Sequence, residues 1–152
     1  EKGEADMPNQ LYKVTSTSLH ENYQVINKAR GKSIVLDEPE AFGGTDIGLS
    51  PVEALLAGLG SCKAIAGRMF AEKLGIKLHE LEIEVSGNLN TDGFLGDENV
   101  KIGFTDIHAT YRVKADNTEE EIHHFVKFVE SHCPVGDTLI NPASISFDTT
   151  II

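Results

Sequence analysis

The stretch SPVEALLAGLGSCKAIAGRMFAEKLG, Ser50 to Gly75, decides the reading of the fold. Ser50 stands as an N-cap, Pro51 takes the first helical position and Glu53 completes a capping box. Gly75 supplies a left-handed C-terminal stop. Between them the spacing predicts a helix to about Leu74, roughly 24 residues and about 36 Å long. Its faces are apolar or small until the last turns, so it is expected to be a central helix enclosed for most of its surface by protein. Lys63 and Arg68 interrupt the apolar run, which makes a membrane span the weaker reading. Gly58, Gly60, Ser61, Ala64 and Gly67 invite the close approach of another helix or a sheet.

Upstream, LYKVTSTS, YQVINKA and KSIVL are rich in β-branched residues and are separated by breaks at His20-Glu21-Asn22 and Arg30-Gly31, which predicts a three-stranded meander from Leu11 to Leu36. DEPEAFGGTDIGLS follows as a long loop, of a length that often borders a functional site and equally suits an ordinary crossover. Downstream, LHELEIEVSGNLN and TDIHATYRVKA alternate apolar and polar residues as half-buried strands, joined by the glycine-rich acidic segment TDGFLGDENVKIG. Thr118 with Glu121 caps a second helix that puts Ile122, Phe125, Val126 and Val129 on one face and ends near Ser131. Cys133-Pro134 opens a third, short helix, and SISFDTTI is read as a last strand. The fold class is therefore α+β, as a single domain over residues 11–152, with residues 1–10 set apart as a candidate disordered tail and Met7 as a candidate start.

A chain of 152 residues can bury a core without metal or staples, and its 24% charged content does not point to disorder. The net charge of −11, without a basic block, argues against nucleic acid and against anionic membrane surfaces as partners. The polar opening EKGEADMPNQ does not read as an export signal, so the expected compartment is the cytoplasm, where two thiols are free or cycling rather than permanently bridged.

Those thiols, Cys62 and Cys133, are the best lead to chemistry. Cys62 lies in the third turn of the central helix, beyond reach of the helix dipole, and taken alone also reads as a small buried hydrophobe. Cys133 takes the cap position before Pro134, where backbone N–H groups lower a thiol pKa; the same position also suits a simple helix entrance. Glu53 is accounted for by its capping box. Arg30, at a turn before glycine, is functional only if it lies near a thiol, and is otherwise solvated. His123, His124, His132 and Cys133 do not follow a zinc spacing, so no metal or other cofactor is expected; His132 stands as a candidate local base.

The run GGTDIGLSPVEALLAGLGSCKAIA, the turn GFLGDENVKIGF and the late HCPVGDTLINP together resemble the OsmC/Ohr superfamily, the osmotically inducible and organic hydroperoxide resistance proteins. The likeness covers most of the chain after Tyr23 and is strongest in a Pro-initiated helix, with its cysteine eleven residues after the proline, combined with a later Cys-Pro. The resemblance implies an intertwined homodimer whose sheets wrap paired central helices. It also implies a thiol peroxidase for organic hydroperoxides, in which Cys62 attacks the peroxide and becomes a sulfenic acid, Cys133 resolves it as a disulfide, and Arg30 polarises the attacking thiol. A small dithiol or a lipoylated protein would restore the thiols. Where the family carries a catalytic glutamate directly after the proline, this chain has Val52, and Glu53 lies about 100° further round the helix. That Pro-x-Glu pattern resembles a branch with less defined substrates, and favours as the alternative a non-enzymatic stress or binding protein or a thiol sensor that turns over slowly.

Overall fold

The computed structural model describes residues 9–152, so the expectations for a tail and a start at Met7 fall, for residues 1–8, outside the described residues. Two compact units divide the chain between Ala54 and Leu55. In the N-terminal unit, β1 (Thr15–Ser18), β2 (Val25–Ala29) and β3 (Lys32–Leu36) form the expected antiparallel meander. Thr15 pairs with Lys28, so any residue before Val14 overruns the end of β2. Leu11 and Tyr12, read above as strand, accordingly stay outside it and are exposed. Arg30 and Gly31 both take positive φ, 52° and 74°, the backbone of a two-residue hairpin turn with the twist that antiparallel strands need.

The loop after β3 is closely tied rather than loose. The buried Asp37 carboxylate accepts from the Thr45 hydroxyl at 2.5 Å and from the backbone N–H groups of Glu38, Thr45 and Ile47. A Cβ at Gly44 would stand 1.9 Å from the Glu38 carbonyl oxygen, so only glycine fits there. The loop ends at the expected capping box: the Ser50 N–H donates to Glu53 Oε1 at 2.9 Å, and the Glu53 N–H to Ser50 Oγ at 3.3 Å.

Helix α1, Pro51–Ala71, starts from that box and continues into the C-terminal unit. It ends three residues earlier than the periodicity predicts, because the Gly75 and Ile76 N–H groups close a turn back onto Glu72 and Ala71. Strands β4 (Leu78–Asn88) and β5 (Asp106–Ala115) form a long antiparallel pair, interrupted by an irregularity between Leu78 and Glu80. The Arg68 guanidinium donates to the Leu78 and His79 carbonyls beside it. Their connection holds the one-turn helix α2, Thr91–Phe94. Helix α3, Glu119–Ser131, is capped by Thr118 with Glu121 as expected, and α4, Pro134–Ile140, follows Cys133.

The core gathers Ala66, Ala71, Ile76, Phe125 and Val129, flanked by Phe70, Leu74, Leu78 and Tyr111. The expected close approach to α1 is made by β4: a Cβ on Gly67 would meet Leu81 at 2.5 Å, and one on Gly60 would meet Val85 at 3.3 Å. The broad enclosure expected for α1 is met by its own chain on one face only. Ile65 and Met69 are 61% and 71% exposed. By length and composition α1 could also cross a bilayer, but its mid-helix Lys63 is paired within the unit, which marks a core helix. The last strand is not formed: residues after Asn141 take no regular structure, and Ile145 and Phe147 are fully exposed, with no strand to pair with among the described residues.

Candidate active site

Two cysteines from separate elements meet in the C-terminal unit. Cys62, in the middle of α1, is half-buried; Cys133, at the entrance to α4, is buried; and neither is bridged. The two thiols are near enough for Cys62 to act on the Cys133 proton. Cys133 is held in place by its cap role, since its Sγ accepts the Gly136 N–H at 3.3 Å. Pro134 fixes the first turn that aims this N–H, which explains why the Cys-Pro order matters locally.

The cap geometry is as the sequence predicts, but its electrostatic consequence is not. Burial pushes the Cys133 thiol up, and the hydrogen bond and charge of the adjacent Cys62 push it further; the Gly136 N–H and the Lys63 charge lower it without prevailing. A single hydrogen bond from a seven-residue helix does not offset the loss of water around a buried thiolate.

Lys63, Glu130 and Tyr111 are the neighbours that sequence reading missed as site residues. The buried Lys63 ammonium pairs with the Glu130 carboxylate, which also accepts the Tyr111 hydroxyl at 2.5 Å. Burial would raise the Glu130 carboxyl, but the hydrogen bonds from Lys63 and Tyr111, together with the Lys63 charge, hold it below the usual carboxylate range. Tyr111 is pushed strongly upward by burial, then by Glu130, so its hydroxyl stays protonated. The available signals were a lone lysine inside an apolar helix and the inward position of Tyr111 in the alternation of β5.

Arg30 belongs to the N-terminal unit, exposed at the β2–β3 turn. Glu53 is engaged by Ser50, first through the backbone N–H, and its carboxyl is lowered for that reason. His132 is not placed as a base towards Cys133: its Nδ1 contacts the Phe128 carbonyl at 2.8 Å and its ring stacks on Phe128 at 3.9 Å. No group of side chains suited to a metal occurs among the described residues.

The sequence model of the family described as OsmC-like protein matches residues 43–148, a span that includes both cysteines. The chain belongs to this family. This OsmC-like chain is 26% identical over 141 residues to a Mycoplasma pneumoniae protein named hydroperoxide reductase, with 90% of this chain and 87% of that one covered. A Mycoplasma genitalium protein of the same name is 31% identical over 108 residues, covering 68% and 71% of the two chains. The crystal structure of an OsmC-like protein from Mycoplasma pneumoniae superposes with a TM-score of 0.77 at 26% identity, covering 90% of this chain and 91% of that one. The α+β architecture of the OsmC fold is thereby shared.

Proposed function

We propose that this OsmC-like protein reduces organic hydroperoxides with a cycling thiol pair. The carrying observation is the nearness of Cys62 and Cys133, two free thiols from distant parts of the sequence, each acting on the other's surroundings. The relatives named hydroperoxide reductase support the substrate class. Cys62 is the more accessible sulfur and is assigned the attack: its thiolate takes the distal oxygen of R–O–OH, the O–O bond breaks, and the alkoxide leaves as ROH after accepting a proton. Cys133 then closes the disulfide on the Cys62 sulfenic acid, releasing water. A dithiol, free or as a lipoyl group on a protein, reduces the bridge by exchange and is itself oxidised. Arg30 is assigned the electrostatic activation of Cys62.

The working form in this reading is a cytoplasmic homodimer. Support comes from the uncovered apolar side of α1 and from the alternating apolar residues of the unpaired C-terminal segment, both suited to burial against a second copy.

A second reading, a thiol sensor that oxidises once and turns over slowly, is favoured by Val52 and by the engagement of Glu53 in its cap. Steady-state peroxide consumption with a dithiol reductant separates the two. Sustained turnover, lost in Cys62→Ser, supports the peroxidase; a single stoichiometric oxidation supports the sensor; unchanged consumption by Cys62→Ser overturns the assignment of the nucleophile.

A further inference from the structure

Lys63 has no packing rationale. Its side chain is 6% exposed, on the same packed side of α1 as Leu59, Gly60, Ala66 and Gly67, where an apolar residue of similar length would serve the core without desolvating an ammonium. Its partner Glu130 is far more open, with a side chain 47% exposed, and the same carboxylate oxygen also accepts the Tyr111 hydroxyl. The ion pair therefore holds a cation at a chosen buried position, and that position adjoins both cysteines: Lys63 follows Cys62 on α1, and its partner Glu130 stands three residues before Cys133.

We propose that Lys63, anchored by Glu130 and Tyr111, is the positioning charge that lessens the cost of ionising the buried Cys133 thiol for disulfide closure. This rests on the reading of Cys133 as the resolving thiol. In that step Cys133 gives up its proton and its thiolate attacks the sulfur of the Cys62 sulfenic acid. The S–S bond forms as the S–O bond breaks, and the departing hydroxide takes up a proton to leave as water. Without a nearby cation, burial opposes the thiolate on which attack depends. Glu130 tempers the same cation at rest, so the pair sets how readily Cys133 ionises. The titratable groups around Cys133 are Cys62 and Lys63 on α1, Tyr111 on β5, Glu130 at the end of α3, and the exposed His132 and Asp137 on its own segment.

The proposal makes opposite-sign predictions for the two halves of one ion pair. With Cys62→Ser as background, the ultraviolet absorbance of the Cys133 thiolate is titrated against pH. Lys63→Met moves the midpoint up, Lys63→Arg brings it back, and Glu130→Gln, which keeps shape and hydrogen bonding while deleting the negative charge, moves it down. Glu130→Gln lies at the open end of the pair, so it gives a reading even if Lys63→Met does not fold. In the two-cysteine protein, Lys63→Met slows disulfide closure after peroxide on the order of tenfold at neutral pH. Midpoints that do not move, or that move in the same direction for Lys63→Met and Glu130→Gln, overturn the proposal. The titration uses no peroxide, so unmoved midpoints in a protein that still cycles on hydroperoxide sink the role of Lys63 alone, and loss of the peroxidase reading leaves the titration intact.

Discussion

At the scale of single residues, the chain separates two demands that a thiol pair makes. One sulfur, Cys62, is left partly open, and the other, Cys133, is buried and tethered by a backbone N–H. Cys133→Ser is expected to consume about one equivalent of hydroperoxide and then stop, with a trappable sulfenic acid on Cys62, read by mass spectrometry after dimedone labelling; continued cycling at the wild-type rate would remove Cys133 from the mechanism. Arg30 requires a substitution that spares its turn. Arg30→Asn keeps a residue that tolerates positive φ before Gly31 and is expected to leave thermal stability nearly unchanged while lowering peroxide turnover at least tenfold. Unaltered turnover would reduce Arg30 to a turn residue. The carboxylates make a third, pH-dependent prediction. Asp37, held low chiefly by the Thr45 hydroxyl, and Glu53, held low by Ser50, bind fewer protons folded than unfolded. Their contribution is present above the unfolded carboxyl range of about pH 4 and is lost as pH falls through the lower folded values. Denaturant midpoints should fall on acidification below about pH 4, less steeply in Asp37→Asn.

At the scale of elements, α1 carries the reading. Its capping box, its small residues and its cysteine were legible in the sequence because each is a local signal, fixed by neighbours within a turn. The site's polar cluster was not, because Lys63, Tyr111 and Glu130 lie on three elements, and only packing puts the carboxylate between the other two. The Cys133 thiol shows the same limit: its cap bond is local and predictable, whereas the burial that outweighs it is tertiary. The glycines of α1 supply a paired test. Gly67→Val forces a branched side chain into Leu81 and should cost about 1–3 kcal/mol of stability. Gly58→Ala meets nothing within 4 Å among the described residues and should stabilise the helix by about 0.5–1 kcal/mol; a clear loss at Gly58 instead would mean that a second copy occupies that face.

At the scale of the whole molecule, the sequence patterns that went astray share one cause. The segments Leu11–Tyr12 and Ile145–Phe147 are apolar and β-prone, yet find no strand to pair with among the described residues. The homodimer proposed above resolves this, and sedimentation or light scattering should report twice the 16.5 kDa chain mass; a monomer at micromolar concentration would contradict it. The proposed activity turns on the two sulfurs. The most direct test is to treat the fully reduced protein with one equivalent of an organic hydroperoxide, quench it by alkylation and map its peptides. One intrachain Cys62–Cys133 disulfide per chain is expected, with one equivalent of the corresponding alcohol. Consumption of the hydroperoxide with both thiols recovered alkylated would contradict it.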